Sequence, residues 1–250
     1  MAVASALCLT LAVAANTPDP AVPAARGPSE GNPGVVFVIG GVGGIDALPV
    51  TARWALPRAE VGHEQCEFGW THGVGHVFAD LRDICHLLAK ATELADAVRA
   101  VKAQDPDRPV YFLAHSGGCG VALAAAEFLP PRTLERIVLL SAAVSPTLDL
   151  RPALRATRCE IVSFHSVGDA FFLGLWTREL GTTDRVYTQS AGRKGFTIPA
   201  DLDDEGRALY SRLVQIPWRV EDLRELNLGG HHSTVTPRFL RRHVAPWLRP

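Results

Sequence analysis

The stretch 109–129, PVYFLAHSGGCGVALAAAEFL, reads as a buried strand, a sharp turn and a helix of small residues, with one serine at the bend. Val110, Phe112 and Leu113 supply the apolar run of a parallel-sheet strand, while Gly117, Gly118, Gly120 and Ala122 keep bulk away from a tight strand-to-helix crossing. Ser116 is therefore the candidate nucleophile. A serine hydroxyl is a poor nucleophile unless the fold holds it beside a base and near backbone N–H groups that stabilise an oxyanion. The pattern Ala114-His115-Ser116-Gly117-Gly118 departs from G-x-S-x-G at its first position, where alanine still meets the steric demand of a strained turn. Taken alone, the same residues would also make a glycine-rich turn carrying an ordinary serine.

Outward from this stretch, strand-like and helix-like segments alternate. VVFVIG at 35–40 is the first strand, EQCEFGW at 64–70 a weaker second, and RIVLLSAAV at 136–144 and CEIVSFHS at 159–166 are two more with buried character. Between them, 80–104 carries Leu81, Ile84, Leu88, Ala91, Leu94, Val98 and Val101 on one stripe, which predicts a single helix packed on a sheet face. Residues 237–248 close the chain with a helical pattern. This alternation predicts an α/β domain with a mostly parallel central sheet and helices on both faces. A chain of 250 residues with 47% hydrophobic content suffices for one such core.

The formal net charge is −1 and neither sign is concentrated in long blocks, so no electrostatic footprint for nucleic acid is present. Residues 1–15, within MAVASALCLTLAVAANTPD, form an apolar run ending in small residues that reads as a signal-like segment without a basic start. The expectation is export to a periplasmic or extracellular space, or a cytoplasmic location if the segment is not a signal. The run is shorter than the roughly 18 apolar residues of a membrane span. Cys8 follows Leu7, where a lipidation signal wants a small residue. Residues 16–34 have the Pro, Ala and Gly composition of a disordered linker, which leaves 35–250 as the folded domain. Cys66, Cys85, Cys119 and Cys159 stand singly, without zinc-site spacing. They are expected to be buried free thiols, with a Cys66 to Cys85 bridge open to an oxidising compartment. No metal and no cofactor is implied.

In open α/β sheets ligands bind beyond the carboxyl ends of the strands, so the loops there carry the chemistry. Val167-Gly168-Asp169-Ala170 follows the 159–166 strand and places a carboxylate where it can orient an imidazole. The same aspartate would also serve as a helix cap, and Asp149 is the less favoured substitute. Leu228-Gly229-Gly230-His231-His232-Ser233 sets two histidines on a glycine-flanked loop before the last helix. The order is then Ser, Asp, His. One imidazole must accept the Ser116 proton while turning its other nitrogen toward Asp169.

Together, AHSGG at 114–118, GD at 168–169 and GGHHS at 229–233 resemble the α/β-hydrolase superfamily, from about residue 35 to the end. The resemblance implies the α/β-hydrolase fold with trimmed N-terminal strands and a triad of Ser116, Asp169 and His231. His231 is preferred to His232 because in similar hydrolases the histidine directly after the paired glycines is usually the base. His115 would then shape the pocket. The resemblance also implies an oxyanion hole made by the Gly117 N–H and a second donor on Gly40-Gly41-Val42-Gly43-Gly44, where Gly40 stands in place of the family's histidine. The second donor lies between Gly41 and Val42, and Val42 is the choice. That loop lacks the Lys-Ser/Thr ending of a phosphate-binding loop. Little chain separates the 136 and 159 strands, so a lid, if any, falls after Asp169, where Phe171, Phe172, Trp176 and Tyr187 either cover the pocket or join the core. The implied activity is hydrolysis of a small-molecule carboxylic ester through an acyl-enzyme. Thioester cleavage or acyl transfer on the same triad, and a catalytically silent hydrolase-fold binding protein, are the alternatives.

Overall fold

Val35, Phe37 and Ile39 face one side of strand β1 (Val35–Ile39), Val36 and Val38 face the other, and all five are buried. A strand covered on both faces belongs in the interior of a parallel sheet. The computed structural model describes residues 33–169, 182–184 and 188–249. The signal-like segment, the linker before Pro33, and Phe171, Phe172, Trp176 and Tyr187 lie outside the described residues.

Five more strands complete the sheet: β2 (Glu64–Glu67), β3 (Val110–His115), β4 (Arg136–Leu140), β5 (Ile161–His165) and β6 (Leu213–Pro217). Their order is β2-β1-β3-β4-β5-β6, and every pair is parallel. One face packs on α3 (Ile84–Gln104), α4 (Gly118–Glu127) and α5 (Arg151–Ala156), the other on α1 (Ala47–Arg58) and the C-terminal helical segment. The anticipated strands are thus present, in shorter form. β6 was not among them, because its half-buried LVQIP carries neither a continuous apolar run nor a clean alternation.

The stripe at 80–104 is split. α2 (Val77–Arg82) ends at Asp83, whose carboxylate accepts the His86 N–H at 2.9 Å and starts α3 as a new helix. The new start resets the buried face. Leu87 is inside at 4% exposure, whereas Leu88 is 43% and Ile84 37% exposed. Ala91, Leu94 and Val98 keep their expected burial. Residues 237–248 are helical in three registers, an α turn (Pro237–Phe239), a π turn (Leu240–Val244) and a 3-10 turn (Ala245–Leu248) that contains Pro246, which has no N–H to give an α ladder.

The four cysteines of the described residues are free, which overturns the possible Cys66 to Cys85 bridge. Cys66 sits on β2, while Cys85 lies exposed in the first turn of α3, so only Cys119 is a fully buried thiol. Among the described residues no helix is long and apolar enough to cross a membrane, and no cluster of three His, Cys, Asp or Glu side chains is placed to hold a metal ion.

Candidate active site

Ser116 follows β3 directly and takes φ of +52°, a conformation that a residue with a Cβ adopts only under constraint. The constraint is visible on both sides of the residue. Its N–H donates to the Leu140 carbonyl at 3.0 Å, and its own carbonyl accepts the N–H groups of Cys119 and Ala143, each at 3.1 Å. The small residues after it are required by packing. A Cβ on Gly118 would lie 2.3 Å from the Gly40 carbonyl oxygen, and one on Gly117 would lie 2.6 Å from Val42 Cγ1.

Three separate loops converge on this serine. Its Oγ is 2.8 Å from His231 Nε2, and His231 Nδ1 is 2.7 Å from Asp169 Oδ2. The Asp169 loop leaves the carboxyl end of β5, and the His231 loop precedes the C-terminal helical segment. All three residues are buried, with His231 at 8% exposure the most accessible. Burial pushes the His231 pKa below its ordinary value, the Asp169 carboxylate opposes that shift, and the neighbouring His115 and His232 rings add to it. A neutral imidazole with a bare nitrogen toward the hydroxyl is the state a general base needs.

The two alternatives considered from sequence are placed elsewhere. Asp149 is exposed and paired with its neighbour Arg151, whose guanidinium lies 2.7 Å from Asp149 Oδ2. His232 is exposed, its ring centroid 5.1 Å from that of His231.

The glycine loop after β1 lies against Ser116, since a Cβ on Gly41 would meet Ser116 Cβ at 3.1 Å. The amides flanking Val42 are both held by carboxylates. Gly41 N–H donates to Asp46 Oδ2 at 2.8 Å and Gly43 N–H to Asp80 Oδ2 at 2.7 Å. Trp70 completes the support, its indole N–H donating to the Gly40 carbonyl at 2.8 Å. Asp46, Asp80 and Trp70 were not singled out from sequence. Asp46 also caps α1, accepting the Leu48 N–H at 2.7 Å.

His115, beside Ser116, is wholly buried and bonded at both ring nitrogens, Nδ1 2.6 Å from Asp46 Oδ2 and Nε2 3.1 Å from the His231 carbonyl oxygen. Burial works to raise the Asp46 pKa, but the His115 ring and the two backbone N–H groups outweigh it and hold the carboxyl well below the usual range.

A wholly parallel sheet carries a strained serine after β3, a carboxylate after β5 and a histidine on the last loop, in contact and in that chain order. This is the α/β-hydrolase fold. Among the described residues no strand of the sheet precedes β1. No family model and no curated protein matches the chain. Solved structures similar to it include a protein from Thermus thermophilus, at 16% identity and TM-score 0.48 over 88% of this chain and 91% of that one. A cutinase-like protein from Cryptococcus sp. is similar at 11% identity and TM-score 0.46 over 87% and 97% of the two chains. The NocB thioesterase domain of a nocardicin cluster is similar at 15% identity and TM-score 0.41 over 86% and 96%.

Proposed function

We propose that this chain is a serine hydrolase that cleaves small carboxylic esters through an acyl-enzyme. The observation that carries the reading is the continuous hydrogen-bonded path from Ser116 Oγ through His231 to Asp169, built on a serine held at positive φ. In this reading Ser116 Oγ attacks the ester carbonyl carbon as His231 Nε2 takes the hydroxyl proton. Asp169 holds the imidazole in the tautomer with Nδ1–H and stabilises the imidazolium that forms. The tetrahedral oxyanion is received by the N–H of Gly117, at the start of α4, and by that of Val42, the amide lying between two that carboxylates already hold. The intermediate collapses, the alcohol leaves with the proton from His231, and a water activated by the same imidazole releases the acid and restores Ser116.

A fluorophosphonate probe tests the first half of this scheme. The wild-type protein is expected to be labelled at Ser116, and Ser116→Ala to remain unlabelled with its fold intact. An unlabelled wild type would point to a silent hydrolase fold. A panel of esters and thioesters, with and without an alcohol acceptor, tests the second half, because transfer of the acyl group to the acceptor in preference to water would make the chain an acyltransferase.

A further inference from the structure

We propose that His115 and Asp46 form a buried imidazolium–carboxylate pair that sets the register between the oxyanion loop and the base loop, making His115 a positioning residue for the triad. The inference rests on the hydrolase reading for its kinetic consequences but not for the charge state of the pair.

The argument begins with donors and acceptors. A histidine ring that is neutral has one N–H and one bare nitrogen. His115 faces an acceptor at each nitrogen, the Asp46 carboxylate at 2.6 Å and the main-chain carbonyl of His231 at 3.1 Å. A carbonyl oxygen has no proton to give, so Nε2 must carry one. Asp46 in turn accepts two main-chain N–H donors, from Gly41 on Oδ2 and from Leu48 on Oδ1, beside its contact with His115. That is the surrounding of an ionised carboxylate, which leaves the proton on Nδ1. Both ring nitrogens are then protonated and the ring is cationic. The side chains are 0% and 6% exposed, so neither charge is compensated by water and each depends on the other.

The consequence is mechanical and electrostatic. Asp46 turns the Gly41 amide onto itself, which fixes the next peptide, that of Val42, relative to the nucleophile. His115 grips the main chain of the residue that carries the base. One pair thus ties both loops to the strand that ends in Ser116. The titratable groups facing the pair are His231, with Asp169 behind it, and His232 from the loops above, and the Cys119 thiol from α4. The His115 and His231 ring centroids are 4.9 Å apart, so a cation at His115 disfavours a second cation at His231 and keeps the base neutral further into acid.

Two neutral replacements separate the tethers. His115→Asn keeps a donor near the position of Nδ1, and His115→Gln keeps one near that of Nε2. Each is expected to lower kcat by about 10- to 100-fold with KM changed less than about threefold, because the loops lose register while substrate contacts stay. In both, the acid limb of kcat/KM should move up by about 2 pH units, the effect of removing a unit charge about 5 Å away at an effective dielectric of about 20. Unchanged kcat together with an unmoved acid limb in both variants would overturn the proposal. A readout independent of activity is the ¹⁵N spectrum of the wild-type imidazoles at pH 8, with the His115 ring signals assigned by through-bond correlation to its own backbone amide. Two protonated nitrogens are expected, and one bare nitrogen would overturn the pair even if neither variant folds. Failure of Ser116 to react with the fluorophosphonate would count against the hydrolase reading and leave this spectrum as it is.

Discussion

Replacing Asp169 with asparagine removes one charge from the proposed triad and little volume. His231 Nδ1 lies 2.7 Å from Asp169 Oδ2, with the two side chains 7% and 1% exposed, so solvent screens the pair weakly. An imidazolium and a carboxylate centred about 4 Å apart at an effective dielectric of about 20 attract by about 4 kcal/mol. That stabilisation exists only once the imidazole has taken the Ser116 proton, so its loss falls on the transition state. At about 1.4 kcal/mol per factor of ten, kcat should drop about 10³-fold. The acid limb of the pH profile should move down in the same variant, because Asp169 is the group that raises the His231 pKa. The assay is the steady-state hydrolysis of a soluble p-nitrophenyl ester from pH 5 to 9, with thermal melting to show that the fold is intact. A folded Asp169→Asn protein turning over within tenfold of wild type would refute the triad.

Three further outcomes follow from the geometry. Ser116→Gly should melt about 2–4 °C above the equally inactive Ser116→Ala, because glycine relieves about 1 kcal/mol of left-handed strain; equal melting temperatures would show that the elbow stores no strain. Gly118→Ala should lose about 3 kcal/mol in urea unfolding, at the upper end of ordinary overpacking, since its Cβ meets the immobile Gly40 carbonyl at 2.3 Å; a neutral result would refute the packing account. Burial holds the pKa values of His63, His165 and His231 below the ordinary value, so an unfolded chain binds protons near pH 6.5 that the folded one refuses. Stability should therefore fall as pH drops below about 6.5, whereas His72, whose bond to Asp80 raises its pKa, and the proposed His115 cation act in the opposite sense only above that pH. A flat melting temperature from about pH 6.5 to 5 would contradict this.

The parts of the site that were legible in the sequence are those whose signal is local. The run into Ser116 states its own strand, turn and helix, and Asp169 and His231 each follow a glycine in a loop near a strand or helix end. The supporting residues lack that property. Asp46 meets His115 across 69 positions and Asp80 meets Gly43 across 37, so nothing near either aspartate in the chain announces its partner. His115 was noticed only for its place beside the nucleophile. The stripe on α3 was misphased for a related reason, since Asp83 as a cap within an apolar pattern reads as one more polar position. The β6 strand, half-buried at the sheet edge, carries too little apolar contrast to stand out.

The other edge of the sheet bears on how the folded chain meets its own kind. β2 is four residues long, and its two glutamates face outward beside Arg108 and Arg53, Glu64 at 2.7 Å and Glu67 at 3.5 Å. These ion pairs are exposed and add little to stability. Their value is colloidal: a strand from another molecule would have to align its backbone along a short, charged ridge, and desolvate it, before gaining a ladder of hydrogen bonds. At the far side β6 ends in Pro217, which has no amide to donate. A sheet whose interior strands are largely apolar thus stays unreceptive to strand addition at both margins.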